Sequence, residues 1–259
     1  MATVLLQLTT ALSPPNSPPK IYKSAELIPN PIPQAPSEVF EPSPVDDVLL
    51  SIFRWTLQRQ SGVIHPNTNG FDGMIDELHE LRRTRGTDEL ERVSLQTMTA
   101  LAGPIPFIYR TIFAQWDATP ALLAWFAKQF LPFLVGDMTL TSIDNDGDGD
   151  ISSAGGGLLV KQCRVLDKSN CKGICAKMCK VPTERFFAEQ WGVPLSMEPN
   201  FETGACQLRF GVVPLDIEED LSIPSGCLVR CPASSGIKKQ LDNANGDSVQ
   251  LSLKFEENI

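Results

Sequence analysis

The first 162 residues of this 259-residue chain contain no cysteine, and all seven cysteines lie at or after Cys163. An odd number of thiols, confined to one half of a chain long enough to build a core, excludes the disulfide framework of a small secreted domain and fits a reducing compartment. Histidine is almost missing. His79 lies near Asp76 and Glu80 on a predicted helix, and His65 stands beside Pro66 in a predicted loop. A facial triad of two histidines and a carboxylate would need both, so each is read as solvated or satisfied. Basic clusters are missing too, with 22 Lys and Arg against 31 Asp and Glu, a net charge of −9 and a sequence pI of about 4.8. That balance excludes a nucleic-acid partner and argues against adhesion to anionic lipid. No run reaches the ~18 uninterrupted apolar residues of a spanning helix. The nearest, PALLAWFAKQFLPFLV, is broken by Lys128 and Pro132. A phosphate loop, a nucleophile elbow and paired catalytic carboxylates are likewise absent, and the glycines at 155–157 are not followed by GK[ST].

Proline organises the first segment. PPNSPPK, PNPIPQAP and EPSP forbid sustained helix or sheet over residues 1–43, which are expected to be disordered. The first 25 residues lack Asp and Glu and are rich in Ser, Thr and apolar residues, the composition of an organelle transit peptide, although arginine is missing. Ser43, Pro44, Asp46 and Asp47 then form a helix start, and that helix should end near Gly62. Leu49, Ile52, Phe53 and Leu57 share one face of it. Phe71, Met74, Ile75 and Leu78 form the next stripe, and Leu90, Val93, Met98 and Leu101 a third. Two more helices follow in PFIYRTIFAQW and TPALLAWFAKQFLPFLV, with Thr119 as a cap and Pro132 as a kink or stop. The second of these is apolar nearly all round. Such a helix is buried by default, or else faces lipid or lines an apolar cavity.

The segment DNDGDGDIS, Asp144–Ser152, nearly spells a calcium-binding loop, but Gly155 stands where a bidentate Glu should close the shell. MTLTSI before it and GLLVKQCRVL after it read as extended, so the stretch is expected to be a hairpin with an acidic tip. Cys163 falls on the second strand in this reading. Cys171, Cys175 and Cys179 then recur every four residues, which on a helix sets three sulfurs along one face. Three thiols in register point to metal or redox chemistry, against the alternative of small buried apolar residues. Pro182 and Thr183 should start a separate short helix ending at Gly192. VPLSMEPNF should be an irregular connection, and ACQLRFG a strand with Cys206, Leu208 and Phe210 on one side. Cys227 and Cys231 repeat the four-residue spacing, within reach of a shared ligand if the chain folds back. A CxxC redox motif is absent.

LLVKQCRVLDKSNCKGICAKMCKVPTERFF, GVPLSMEPNFE and ACQLRFG resemble the plastid beta-carotene isomerases that open strigolactone synthesis in land plants (Dwarf-twenty-seven-like proteins). The likeness extends more weakly to GFDGMIDE upstream and through PLDIEED to Cys227 and Cys231, covering roughly residues 70–231. The resemblance implies an iron-containing cis-trans isomerase that interconverts all-trans and 9-cis beta-carotene in the chloroplast.

These readings give an α+β fold with a helical N-terminal half packed on a small antiparallel sheet and a Cys-rich C-terminal segment. Residues 1–43 form the transit segment, 44–231 a single domain (44–135 helical, 136–231 sheet and cysteines), and 232–259 a polar tail. Cys171, Cys175 and Cys179 are the expected cofactor ligands, with Cys227 or Cys231 completing the metal set and Cys163 and Cys206 as second choices. The cofactor is iron, mononuclear or in an iron–sulfur cluster, although thiolates also serve zinc. The expected partner is an apolar carotenoid, with peripheral contact to plastid membranes and no transmembrane span. The rival function is a noncatalytic metal-binding or carotenoid-binding plastid protein.

Overall fold

The computed structural model of the protein describes residues 22–23, 40–65, 68–113, 119–142, 155–215 and 220. The acidic hairpin tip, the Cys227 and Cys231 pair and the polar tail lie outside them, as does nearly all of the proline-rich segment. Within that segment a two-residue strand, β1 (Tyr22–Lys23), pairs in parallel with β6 (Val212–Val213).

Helix α1 (Pro44–Ser61) begins on the expected cap. Ser43 N donates to Asp46 Oδ2 at 2.8 Å and Asp46 N to Ser43 Oγ at 3.3 Å, a reciprocal capping box. It ends at Gly62, whose left-handed φ of 71° suits a residue without Cβ. Its inward face is rotated from the one predicted. Leu50 and Leu57 are buried, Leu49 and Phe53 pack partly, and Ile52 is 49% exposed. Helix α2 (Gly70–Thr84) buries Phe71, Met74, Ile75 and Leu78 as expected, and Leu81 with them. Helix α3 (Thr87–Ala102) buries Leu90 and Val93, and Thr97 on the same face, whereas Leu101, expected inward, is exposed in the last turn. Thr97 enters the core because its hydroxyl is satisfied locally, donating to the Val93 carbonyl at 2.8 Å.

A buried ion pair ties α1 to α2. Glu77 is fully buried and accepts from Arg54 Nε at 3.0 Å, Arg54 Nη2 at 2.8 Å, Gln58 Nε2 at 2.6 Å and His65 N at 3.2 Å. Arg54 Nη2 also donates to the carbonyls of His65 and Thr68, so one guanidinium fixes the turn between the helices. The guanidinium crosses directly over Gly73. A Cβ there would overlap the Thr68 carbonyl oxygen and lie 2.5 Å from Arg54 Nη1. The GFDGMIDE string therefore encodes this joint, with Gly73 as the gap and Glu77 as the counter-charge.

Helices α4 (Ile105–Phe113) and α5 (Thr119–Phe130) follow, then the short α6 (Pro132–Val135) beyond the expected break at Pro132. Strands β2 (Met138–Ser142), β3 (Gly155–Val160), β4 (Leu195–Pro199) and β5 (Cys206–Phe210) form an antiparallel sheet in the order β2-β3-β5-β4. The β2–β3 hairpin is the one the sequence predicts. VPLSMEPNF is not irregular: its Leu195–Pro199 pairs along β5, Met197 opposite Leu208. Pro199 ends that strand, where a missing N–H is tolerated. Two cores result. Helices α1, α2 and α3 enclose one, containing Leu57, Met74, Leu81 and Val93. The other lies between α5 and the sheet, with Leu123, Leu158, Leu195 and Phe210.

Replacing Glu77 with Ala should cost about 3–5 kcal/mol, because it leaves Arg54 buried without its counter-charge. Gly73→Ala should also destabilise strongly, whereas Ile52→Ser should stay within about 0.5 kcal/mol. Urea unfolding followed by circular dichroism checks all three.

Candidate functional site

The cysteine row does not form its own short helix. Residues 172–191 are one continuous helical run: α7 (Arg164–Ser169) precedes it, and it comprises α8 (Lys172–Ile174), a π-helical segment (Cys175–Lys180), α9 (Val181–Phe186) and a second π-helical segment (Phe187–Trp191). Pro182 lies inside this run. It has no N–H to give and its ring crowds the preceding turn, and the turn before it is the widened one, with Val181 N donating to the Ala176 carbonyl five residues back. Gly192, at φ 72°, ends the run where the sequence predicts.

The helix caps decide where two of the sulfurs go. Cys171 caps α8, its Sγ accepting from Ile174 N at 3.3 Å, and Arg82 Nη1 donates to the same sulfur at 2.6 Å. It belongs to the helical core. Cys163 is not on β3 but caps α7, held by its N–H to the Gly204 carbonyl at 2.8 Å. Cys175, Cys179, Cys163 and Cys206 are mutual neighbours, since ionising any one would oppose ionising the others. Cys171 bears on Cys175 from the helical-core side. The structure thus groups two members of the row with the two second-choice cysteines, and sets Cys171 to one side.

All four grouped thiols are held neutral. Cys163, Cys175 and Cys179 belong to half-buried residues, yet their sulfurs are enclosed by protein. Burial pushes the Cys179 thiol up to about 12, with Cys163 and Glu184 adding to it. Burial also raises Cys163 and, further, Cys175 and Cys206, and the neighbouring thiols add to the rise in the last two. Neither histidine joins them. His79 has its pKa lowered by burial and by Arg82, while a hydrogen bond to the Ser169 backbone opposes the shift.

Beside the thiols lies a charge cluster that the sequence reading missed. Lys180 Nζ donates to Glu184 Oε1 at 2.6 Å and to the Met197 carbonyl at 2.5 Å, and pairs with Asp220 Oδ2 at 2.8 Å. Glu184 Oε1 in turn accepts from Met197 N at 2.8 Å. All three ionisable residues are buried. Burial opposes the charge on Lys180, but the two carboxylates outweigh it and hold its pKa above the ordinary lysine value. Burial raises Glu184 against the pull of Lys180. A Lys and a Glu four residues apart on a helix were visible in the sequence; that they point inward was not.

Soft thiol donors suit iron or zinc. Their placement is another matter: no group of three or more His, Cys, Asp or Glu among the described residues is arranged to hold a metal ion. Cys227 and Cys231, the predicted completing ligands, lie outside those residues.

Residues 133–219 match the family model described as beta-carotene isomerase D27-like, C-terminal. All of the thiols described above, and Lys180, Glu184 and Met197, fall inside that span. Among curated proteins, the chain is 23% identical over 198 residues to "Beta-carotene isomerase D27, chloroplastic" of Medicago truncatula, covering 76% of this chain and 77% of that one. It is 27% identical over 186 residues to the protein of the same name from Arabidopsis thaliana, covering 70% and 69%. No solved structure matches.

Two outcomes are expected of residues 133–219. Each of the four thiols is protonated in the folded state beyond the pH at which it ionises in the unfolded chain. Stability should therefore be flat with pH below the ordinary cysteine value of 9.0 and fall from there towards the folded value, about 12 for Cys179. The slope is up to ~1.4 kcal/mol per pH unit for each thiol. Urea unfolding of reduced, metal-free protein between pH 8 and 11 measures it, and Cys179→Ala should lower the slope by one thiol's share. Separately, Lys180→Met takes the shared cation from two buried carboxylates and should cost about 3–5 kcal/mol, read from the same unfolding curves at neutral pH.

Proposed function

We propose that this protein is a plastid carotenoid cis-trans isomerase, acting on all-trans and 9-cis beta-carotene or a close relative. The observation that carries the reading is the enclosed group of Cys163, Cys175, Cys179 and Cys206 within the residues that match the D27-like family model, in a chain whose relatives are named as chloroplastic beta-carotene isomerases. Isomerisation of a polyene needs the conjugated double bond weakened and then restored, with no atom gained or lost. A dry, apolar surrounding protects such a state from water, and Leu208, Phe210 and Met197 supply it around the sulfurs.

The finer part of the proposal is a thiolate-bound iron held by Cys175 and Cys179, with further ligands among Cys163, Cys206, Cys171, Cys227 and Cys231. When bound, such a centre supplies reversible one-electron exchange, which lowers the bond order along a polyene. The soft donor set supports iron; the metal itself is to be measured. A lipid-soluble substrate also makes peripheral contact with plastid membranes part of the reading.

The test is protein purified without air, assayed for iron and acid-labile sulfide, then incubated in detergent with each beta-carotene isomer and resolved by chromatography in the dark. Cys175→Ser should lose metal and activity together, at least ~100-fold, since even outer-shell changes at metal sites cost ten- to hundredfold. Cys171→Ser should lose less, because that sulfur is engaged with Arg82. Full activity in Cys175→Ser protein stripped of metal would refute the metal-dependent step. Metal without turnover of either isomer would leave a noncatalytic binding protein as the better account.

A further inference from the structure

Among the described residues, the apolar helices α4 and α5 are covered on one side only. The inner face of α5 (Leu123, Ala124, Ala127) packs on the sheet, and Tyr109 of α4 is buried against Trp191 and Phe113. Tyr109 donates its hydroxyl to the Thr119 carbonyl at 2.9 Å, and Thr119 donates its own to the Phe113 carbonyl at 2.7 Å, so the two helices are fastened to each other. Their outer faces carry Phe107, Ile108 and Ile112 on α4 and Trp125, Phe126 and Phe130 on α5, between 41% and 75% exposed. Trp125 stacks edge-on against Phe126, which stacks on Phe130, making a continuous aromatic strip along α5. Uncovered apolar area of this kind marks an interaction surface.

Charge decides what covers it. From Val93 to Gly136 the chain holds two cations, Arg110 and Lys128, and one of its 31 acids, Asp117. Neither helix carries an acidic side chain of its own in this −9 chain, and lipid phosphates would not be repelled from their apolar faces. Exposed Trp and Phe beside Lys and Arg is the composition of helices that lie in a bilayer interface. Twelve residues of α5 span about 18 Å, short of a ~30 Å hydrocarbon core. No described helix is long and apolar enough to cross a membrane. We infer that α4 and α5 form an in-plane anchor that seats the protein on a lipid bilayer, with Phe107, Trp125, Phe126 and Phe130 entering the acyl boundary. The choice of a bilayer as the surface from which substrate is drawn rests on the isomerase reading; the anchoring does not.

Flotation of the full chain with phosphatidylcholine vesicles tests it. The parent should float with the vesicles, and a Trp125→Ser, Phe126→Ser double variant should lose vesicle partitioning by roughly tenfold or more, in line with removing large apolar side chains from a lipid interface. Val48→Ser with Trp55→Ser removes comparable exposed apolar surface from α1 and should float as the parent does. Circular dichroism confirms that each variant is folded, since all the substituted side chains are exposed. The inference is overturned if the parent does not float, if the α1 variant loses as much as the α5 variant, or if vesicle-free parent is a dimer that the α5 substitutions dissociate. Detergent-solubilised isomerase assays of the same proteins separate the two readings: the α5 variant should keep its turnover in detergent while losing the vesicle, and turnover absent from a parent that still floats counts against the isomerase alone.

Discussion

The thiol-bearing helix is bolted to the sheet through one backbone unit. Strand β4 lies at the open edge of the four-stranded sheet, and the N–H and C=O of Met197 turn away from its partner β5. An exposed edge is a liability, because its unpaired donors and acceptors invite another strand. Here Glu184 accepts from that N–H and Lys180 donates to that C=O. The two side chains also bond to each other, and Asp220 supplies the second carboxylate. A helix held this way at residues 180 and 184 has little freedom to rotate, which fixes where Cys175 and Cys179 are presented. A Lys-to-Glu pair on a solvent-facing helix would be worth a few tenths of a kcal/mol. Buried and completed by backbone partners, the same pair becomes the constraint on which the position of the site depends.

Much of the helical half was legible in the sequence because its signals are local. The Ser43 capping box, the αL cap at Gly62 and the stripe on α2 each depend on residues within a turn or two of one another. Misplaced positions follow from packing that no local pattern carries. Ile52 was assigned inward by periodicity, yet α1 is rolled so that Leu50 faces the core and Arg54 reaches Glu77, 23 residues away. Thr97 is buried at little cost because it satisfies its own hydroxyl, while Leu101, one turn on at the helix end, is exposed. GFDGMIDE was noticed as a family string. Its physical content, a glycine under a guanidinium and a glutamate behind it, became readable only with α1 in place.

The site was legible in composition and not in arrangement. Spacing of four residues put Cys171, Cys175 and Cys179 on one face of an α-helix, but that inference assumes 3.6 residues per turn throughout. Proline at position 182 signalled a new helix for the same reason. Two local departures change the readings: the π-helical turn at Cys175–Lys180 lets the helix run through Pro182, and Cys171, at the cap before the helix, turns its sulfur to Ile174 N and Arg82 and so parts from its two companions. Such turns concentrate at functional sites because they re-aim side chains without breaking the helix. Cys163 and Cys206 come from residues far apart in the chain, so their meeting with the row depends on the β3–β5 pairing and could not be read from spacing.

These sulfurs lie at the seam of the two cores. Cys163 packs against both, Cys171 belongs to the helical one, and Cys179 and Cys206 to the one under the sheet. Enclosure at that seam lowers the local dielectric, and this desolvation is what holds the thiols protonated. The same seam therefore sets the terms for any cation that enters. A metal bound by several of these sulfurs must displace their protons, and the higher the pKa of each thiol, the more steeply its affinity falls as pH is lowered. Lys180 works in the metal-free state as the local positive charge near the thiols, but its charge is largely taken up by Glu184 and Asp220. The cluster beside the sulfurs thus contributes one positive and two negative groups. Glu184 raises the Cys179 thiol and would equally favour a cation there. Burial acts on all four sulfurs and Glu184 on Cys179, so any cation that entered there would have to compete with their protons.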